Sequence, residues 1–450
     1  MDLFRKYNVA GPRYTSYPPV PFWSNIPDQH TWMRCAADAF DASNQTEGIS
    51  LYLHLPYCES LCTYCGCNKR ITRNHAVERP YIDALLAEWQ MYLDHWGDKP
   101  LIREIHLGGG TPTFFSPENL DFLMEALLQD ASLHPQYAMS FEAHPNNTTR
   151  AHLEVLYKHG FRRLSLGIQD FDPNVQEIVN RVQPFEQVQK VVEEARDCGY
   201  ESINFDLIYG LPLQKLSSVE NTVRLVNKLR PERIAFYSYA HVPWKSKVQR
   251  MFTEADLPNN EEKRALYDLG KKMFEENGYR EIGMDHFALP DDELCIASDE
   301  GRLHRNFMGY TTGQTRLLIG LGASSISDSW DAFVQNEKTI EAYMEAALRG
   351  KMSITAGHLL SERDMIIRKH ILNLMTRFET TWTEEEASLA GWSNLELRMD
   401  SFLKDELVVL KQDKLWITDA GRPFVRNVCM ALDPLLAEKR TESPMFSQTV

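Results

Sequence analysis

The chain has 450 residues, a formal net charge of -15 and 25% charged residues, a composition ordinary for an enzyme and a length beyond one typical domain. No apolar run approaches the roughly 20 residues of a membrane helix, and the N-terminus MDLFRKYNVAGPRYTSYP carries acids and bases where a signal peptide has an apolar core. A cytoplasmic protein is therefore expected, and the acidic balance argues against broad binding to nucleic acid or anionic membrane. In chain order, residues 1–48 form an extension whose proline-rich part around Arg13 is expected to be irregular and to act as a flap over a pocket. Residues 49–285 follow with β-rich runs at about 51–56, 102–107, 139–143, 163–169, 202–208 and 233–239. Each run precedes a segment of helical periodicity, such as SPENLDFLMEALLQDA or FEQVQKVVEEARDCGY. Six β-then-α repeats predict a parallel sheet in an α/β fold, with chemistry at the C-terminal strand ends. Those ends carry a cysteine loop, the turn GGGTP, Glu142, Gln169, Asp206, and Tyr239 with Ala240. Residues 286–357 are expected to complete the pocket. In residues 358–450, LLSERDMIIRKHILNLMTRF reads as a helix, NLELRMDSFLKDELVVL as a helix, KLWITDAG as a short β turn and RPFVRNVCMALDPLL as a helix, a winged-helix order taken here as a substrate cover because the charge offers no DNA-binding face.

The cysteine loop is YCESLCTYCGCN, residues 57–68, which holds four of the eight cysteines, Cys58, Cys62, Cys65 and Cys67. In a reducing compartment, clustered thiols are metal ligands or redox groups before they are disulfides. Structural zinc usually takes two separated cysteine pairs, and no second pair exists. An iron-sulfur cluster, whose thiolates often come from one compact loop, fits better. Three ligands would leave one iron with an open coordination position, the mark of a catalytic metal site. The scattered Cys35, Cys198, Cys295 and Cys429 read as small buried hydrophobes. Three successive glycines after a strand expose backbone N–H and C=O groups to close approach, which suits an amino acid's ammonium and carboxylate.

Cys58, Cys62 and Cys65 form the CxxxCxxC signature, and from here on the chain resembles the radical S-adenosylmethionine (SAM) enzymes. The narrower form CxxxCxxCxC, with KYNVAGPRYTSYP (6–18), HLGGGTPT (106–113), RLSLGIQDF (163–171), NFDLIYGLP (204–212), GMDHFALPDDEL (283–294) and LHRNFMGYTT (303–312), is similar to the oxygen-independent coproporphyrinogen III oxidase family. The resemblance implies a partial (β/α)6 radical SAM barrel with an N-terminal extension and a mainly helical C-terminal domain. It implies a [4Fe-4S] cluster on Cys58, Cys62 and Cys65 and two SAM molecules. Tyr52, Gly109, Glu142 and Ile326 match positions around the cluster-bound SAM; Tyr64, Gly110, Thr111, Gln169, Arg181, Asp206 and Ala240 match positions around the second. The motif SFEAHPNNTT departs from the family pattern at Ala143 and His144, Gln314 is given no role, and Cys67 is not assigned as a ligand.

The implied reaction begins with reductive splitting of SAM into methionine and a 5′-deoxyadenosyl radical. Two propionates of coproporphyrinogen III then lose carbon dioxide and become the vinyl groups of protoporphyrinogen IX, in anaerobic haem synthesis. External electron donors and acceptors are required, and a monomer is expected. The substrate is a tetra-anion, and Arg13, Arg70, Arg73 and Arg305 are candidate partners by charge and by nearness to the motifs. Two other readings stay open. A haem-trafficking chaperone keeps the three cysteines but typically lacks RYTSYP and a cysteine at the position of Cys67; a radical enzyme acting on another tetrapyrrole is not separated by motifs around SAM.

Overall fold

The computed structural model describes residues 3–243, 247–438 and 446–449. The extension is irregular around its prolines, apart from short turns, and then forms α1 Gln29–Ser43, whose first turn is capped by Asp28 accepting from the Thr31 N–H at 2.8 Å. The six expected strands are β1 Ile49–Leu55, β2 Leu101–Gly109, β3 Ser132–Ala143, β4 Arg163–Gln169, β5 Ser202–Tyr209 and β6 Arg233–Ser238. They pair in parallel in that order. Each is followed by a helix: α2 Glu78–His95, α3 Pro117–Gln129, α4 Arg150–Lys158, α5 Phe185–Cys198, α6 Leu216–Leu229 and α7 Asn260–Glu276. A further parallel strand, β7 Leu317–Leu321, pairs with β1, and antiparallel strands extend the sheet beyond both edges. The barrel is therefore partial. The hairpin His304–Asn306 and Gly309–Thr311 contributes Met308, Tyr310 and Thr311 to the lining of its interior.

The strands sort their side chains by alternation. On β4, Leu164, Leu166 and Ile168 are essentially fully buried against the helices, as are Ile203, Phe205 and Leu207 on β5. Burial of such side chains contributes about 1.5–3 kcal/mol each. The intervening residues Arg163, Ser165, Asn204 and Asp206 face a lumen of about 250 Å³. In ordinary barrels this space is filled by branched apolar residues. Here it is polar, which reserves it for a ligand or water.

The C-terminal region begins with α8 Glu362–Arg377, whose N-cap Ser361 and Asp364 satisfy each other's backbone N–H. Among the described residues four further helices, Glu384–Ala390, Leu395–Lys404, Val425–Leu432 and Pro434–Glu438, and a three-stranded antiparallel sheet follow. The segment NLELRMDSFLKDELVVL, read as one helix, ends its helix at Lys404 and forms a strand at Val408–Lys411. Glu406 turns the chain with φ 57°, and the β-branched Val408 and Val409 then pair with Trp416 and Ile417. Tyr7, Tyr14 and Tyr17 of the extension are buried in the core of this region. Among the described residues no helix is long and apolar enough to cross a membrane.

Candidate active site

Strand β1 ends at Leu55 and delivers the chain into the cysteine loop. Its first residues, Tyr57 and Cys58, pair with Arg70 and Ile71, so the loop closes back on itself. Its backbone is held from outside by Asn180 of a neighbouring βα loop, which donates to the Leu61 carbonyl at 2.7 Å, and from within by Lys69, which donates to that of Cys65 at 3.1 Å. The Thr63 N–H donates to the Val179 carbonyl at 3.0 Å. All eight cysteines are free thiols. Cys58 Sγ lies 3.3 Å from Thr111 Oγ1, and Arg181 Nη1 donates to Cys62 Sγ at 3.4 Å. Burial pushes the Cys58 thiol up to about 11. The Cys67 side chain beside Cys65 holds the Cys65 thiol below its usual range.

Three soft sulfur donors on one buttressed loop, two of them in hydrogen-bonding contact with a neighbouring side chain, match the donor set of an iron-sulfur cluster. Among the described residues, the set of Cys, His and carboxylate donors lying within 4.8 Å of one another is Asp121, Glu125 and His159. The three cysteine sulfurs are thus spread wider than one ion's donor shell. At the acidic set, the Lys158 ammonium already occupies the cation's place, 2.8 Å from Asp121 and 3.1 Å from Glu125.

The glycine turn is laced to this loop. The Gly110 N–H donates to the Leu55 carbonyl at 2.9 Å and the Thr111 N–H to that of Tyr57 at 3.0 Å. A Cβ on Gly110 would lie 2.7 Å from the Pro56 carbonyl group, so the approach requires glycine, and Gly109 has φ +118°, which also favours it. The Gly109 N–H donates to Glu142 Oε2 at 3.2 Å.

Around the rim, β3 presents Glu142, whose Oε1 is 3.4 Å from His106 Nε2. The His106 ring stacks on Tyr52 with centroids 6.0 Å apart, and the Tyr52 hydroxyl lies 3.1 Å from His54 Nδ1. Gln169 closes β4 with φ 68°, a left-handed backbone that non-glycine residues rarely adopt and that often marks functional sites. Arg181 donates from Nε to the Gly167 carbonyl at 3.1 Å. Asp206 accepts from Ser165 at 2.9 Å and Asn204 at 3.0 Å; burial, with Glu142 adding, pushes its carboxyl up to about 6. The Gln249 amide bridges the carbonyls of Tyr64 and Ala240 at 3.3 and 3.2 Å. Ile326 packs its backbone against Gly320, which is in register with Tyr52 on β1.

The site residues expected from sequence therefore gather at the C-terminal face of one barrel. Of the candidate cations, Arg13 is bound to Asp285 at 3.1 Å and Arg305 lies buried beside it. Arg70 and Arg73 stay exposed, Arg70 paired with Glu341 at 2.8 Å. At one departure from the family pattern, His144 Nδ1 accepts the Asn146 N–H at 3.2 Å, and burial with the nearby Arg181 lowers its pKa to about 3. It serves as a neutral turn cap. The lumen residues His106, Ser140, Ser165 and Asn204 were not expected from sequence; their signal is the polar half of a period-two alternation in β2 to β5.

Residues 52–226 match the family model described as the Radical SAM superfamily. The oxygen-independent coproporphyrinogen III oxidase of Pseudomonas aeruginosa is 38% identical, with 97% of this chain and 95% of that protein covered. The protein of the same name from Escherichia coli K12 is 36% identical over 100% of this chain and 98% of its own length. The solved structure of coproporphyrinogen III oxidase (HemN) from Escherichia coli, described as a radical SAM enzyme, superposes with a TM-score of 0.88 at 35% identity and covers 94% of this chain. Membership implies a [4Fe-4S] cluster and SAM, which the thiol triad and glycine turn fit. With relatives of this similarity over its full length, the chain belongs to the oxygen-independent coproporphyrinogen III oxidase family of radical SAM enzymes.

Proposed function

We propose that the protein converts two propionate side chains of coproporphyrinogen III into vinyl groups, giving protoporphyrinogen IX for anaerobic haem synthesis. The observation that carries this reading is the triad of free thiols on a loop whose backbone is bonded directly to the glycine turn, at the mouth of a polar barrel. When bound, the cluster and SAM supply a one-electron cleavage that makes a carbon radical able to take a hydrogen atom.

The protein's work is placement. Cys58, Cys62 and Cys65 would hold the cluster, with Thr111 and Arg181 in contact with the sulfurs of Cys58 and Cys62. Tyr52, Gly109, Glu142 and Ile326 surround the SAM at the cluster. Glu142 is suited to its ammonium, because the Gly109 N–H fixes one oxygen and leaves acceptor capacity on the other. Tyr64, Gly110, Thr111, Gln169, Arg181, Asp206 and Ala240 surround a second SAM, where Asp206 is suited to accept from a ribose diol. Each propionate gives up one hydrogen atom from its ring-adjacent CH2, one carbon dioxide and one electron, and an external acceptor takes the electron. Val175, Val179, Leu211, Tyr239 and Phe252 form a buried apolar cluster against which Tyr64 packs, which would keep water from that side of the cysteine loop.

In this reading the units are 1–48 as cover, 49–285 as barrel, 286–357 as the pocket's completing segment and 358–450 as a helical cap. The enzyme works in the cytoplasm as a monomer, a setting that eight free thiols favour. The test is anaerobic incubation of the reconstituted protein with SAM, a reductant, an electron acceptor and coproporphyrinogen III, read by mass spectrometry. A tetrapyrrole lacking two carboxyl groups, absent with Cys62→Ser, is the expected result. Intact substrate alongside SAM cleavage would move the assignment to another tetrapyrrole, and tight haem binding without turnover would move it to a chaperone.

A further inference from the structure

Among the described residues the fully buried arginines Arg368 and Arg426 are matched to acceptors, the half-buried Arg163 and Arg233 each reach a carboxylate while keeping one nitrogen unpartnered, and Arg305 departs furthest, with two nitrogens unpartnered and no carboxylate. Arg368 is paired with both oxygens of Asp328. Arg233 donates to Asp292 at 2.7 Å, Arg163 lies 3.4 Å from Glu104, and Arg426 is bonded to the carbonyls of Gly11, Pro12, Gln448 and Thr449. Arg305 is 7% exposed, yet no carboxylate among the described residues lies within 4.0 Å of it. Its hydrogen bonding amounts to a 3.5 Å contact from Nη2 to the Arg13 carbonyl, and Nε and Nη1 have no partner. Its guanidinium rests 4.7 Å from the Tyr310 ring centroid. A buried cation without an anion is costly, and an open donor set on it points to a partner that is supplied from outside.

The surroundings say what that partner is. Tyr310 stacks edge-on against His286 at 5.2 Å, and both line the barrel lumen together with Tyr237. Arg13 approaches the same wall from the N-terminal extension, 6.0 Å from the Tyr237 ring. His286 Nδ1 also lacks a partner, and burial together with Arg305, Arg13 and Arg233 lowers the His286 pKa to about 3, so it adds no charge of its own. Two guanidiniums thus stand behind one wall of the cavity, on the rings of Tyr237 and Tyr310, one of them spent on Asp285 and the other without a carboxylate among the described residues. The Nε–Nη2 edge of Arg305, held by a single long contact, matches the geometry of a carboxylate.

We propose that Arg305 is a substrate-binding residue that receives a propionate carboxylate of the tetracarboxylate tetrapyrrole, replacing the Arg13 carbonyl as the partner of its Nη2. The identity of that carboxylate rests on the function proposed above. The rival explanation is structural: a cavity of about 20 Å³ beside Arg305, lined also by Tyr14, Ser16 and Asp328, holds one water.

The test compares equilibrium binding of coproporphyrin III, the fluorescent oxidised form, with that of its tetramethyl ester, for wild type, Arg305→Gln and Arg305→Lys. The KM for coproporphyrinogen III is measured alongside, and folding is checked by iron content and Tm. The expected result is a preference of wild type for the acid, a loss of about 10- to 100-fold in acid affinity for Arg305→Gln with a matching rise in KM, and ester binding unchanged. Arg305→Lys recovers part of the affinity, since it keeps the charge without the fork. Acid affinity equal to wild type in the variants, with only Tm lowered, would make Arg305 a water-solvated structural residue. If Arg305→Gln does not fold, Arg305→Lys decides: wild-type acid affinity there overturns the assignment. Absence of turnover in wild type would sink the proposed function while the acid-against-ester comparison still reads Arg305; absence of acid preference in wild type would sink Arg305 in either case.

Discussion

Cys67 stands two residues beyond Cys65, is exposed, and touches the Cys65 side chain, so proximity alone does not separate ligand from neighbour. The separation comes from what surrounds two of the others: Thr111 and Arg181 address the sulfurs of Cys58 and Cys62, whereas Lys69 donates to the carbonyls of Cys65 and Cys67 alike. Cys62→Ser is expected to abolish bound iron after anaerobic reconstitution, whereas Cys67→Ser retains about four irons per chain, the content of one cluster; colorimetric iron assay checks both. Loss of iron in Cys67→Ser would make it a ligand. The thiols and the glycine turn were legible in sequence because their chemistry is local: spacing places the ligands, and Gly110 marks a backbone approach no other residue allows. His106, Ser140, Ser165 and Asn204 were not, because each looks like a routine polar residue in a strand. Only closure of strands β2 to β5 around a common space turns them into one wall.

At the scale of elements, the N-terminal extension is fastened to the C-terminal region and not to the barrel alone. The Tyr14 and Tyr17 hydroxyls donate to the two oxygens of Asp433 at 3.0 and 3.1 Å, and Arg426 grips the carbonyls of Gly11 and Pro12. Asp433→Ala leaves two buried hydroxyls unpaired, at about 1–3 kcal/mol each. The extension is expected to be cut faster by limited proteolysis between 8 and 28 in that variant, with iron content retained. Equal cleavage rates would place the fastening elsewhere. Sequence showed part of the order of elements here, missing the strand Glu379–Thr381 and the helix Glu384–Ala390, and none of the fastening, because partners some 400 residues apart leave no local trace. The misread strand Val408–Lys411 has a different cause. Leucines at 403, 407 and 410 keep helical spacing across the turn, and tertiary pairing with Lys414–Ile417 overrides it.

Across the whole molecule, Glu88 of α2 ties three parts together. It accepts from the Gly322 N–H at 2.9 Å, from Asn336 at 2.6 Å and from Tyr343 at 2.6 Å, fixing the turn that leads from β7 to Ile326. Burial pushes its carboxyl from an ordinary 4.5 up to about 7. The folded state therefore keeps a proton that the unfolded chain releases. This group's contribution is complete below about pH 4.5 and is lost as pH rises through 7, on the order of 3 kcal/mol in all. Glu88→Gln removes that slope, so Tm measured from pH 5 to 8 is expected to fall less steeply in the variant than in wild type, the two lying nearest at pH 5. Parallel curves would mean that Glu88 titrates normally. The parallel six-strand order was legible because its period-two and helical patterns repeat, whereas β7, supplied from 317–321 to the far side of β1, is a long-range pairing that no repeat announces. These scales meet in one claim: the barrel presents a propionate C–H bond to a radical made at the thiol triad. The most direct test is turnover of coproporphyrinogen III deuterated at the ring-adjacent propionate CH2 groups, with mass analysis of the 5′-deoxyadenosine formed. Deuterium carried into the nucleoside, one atom per vinyl group made, is the predicted result; divinyl product accompanied by unlabelled nucleoside would contradict it.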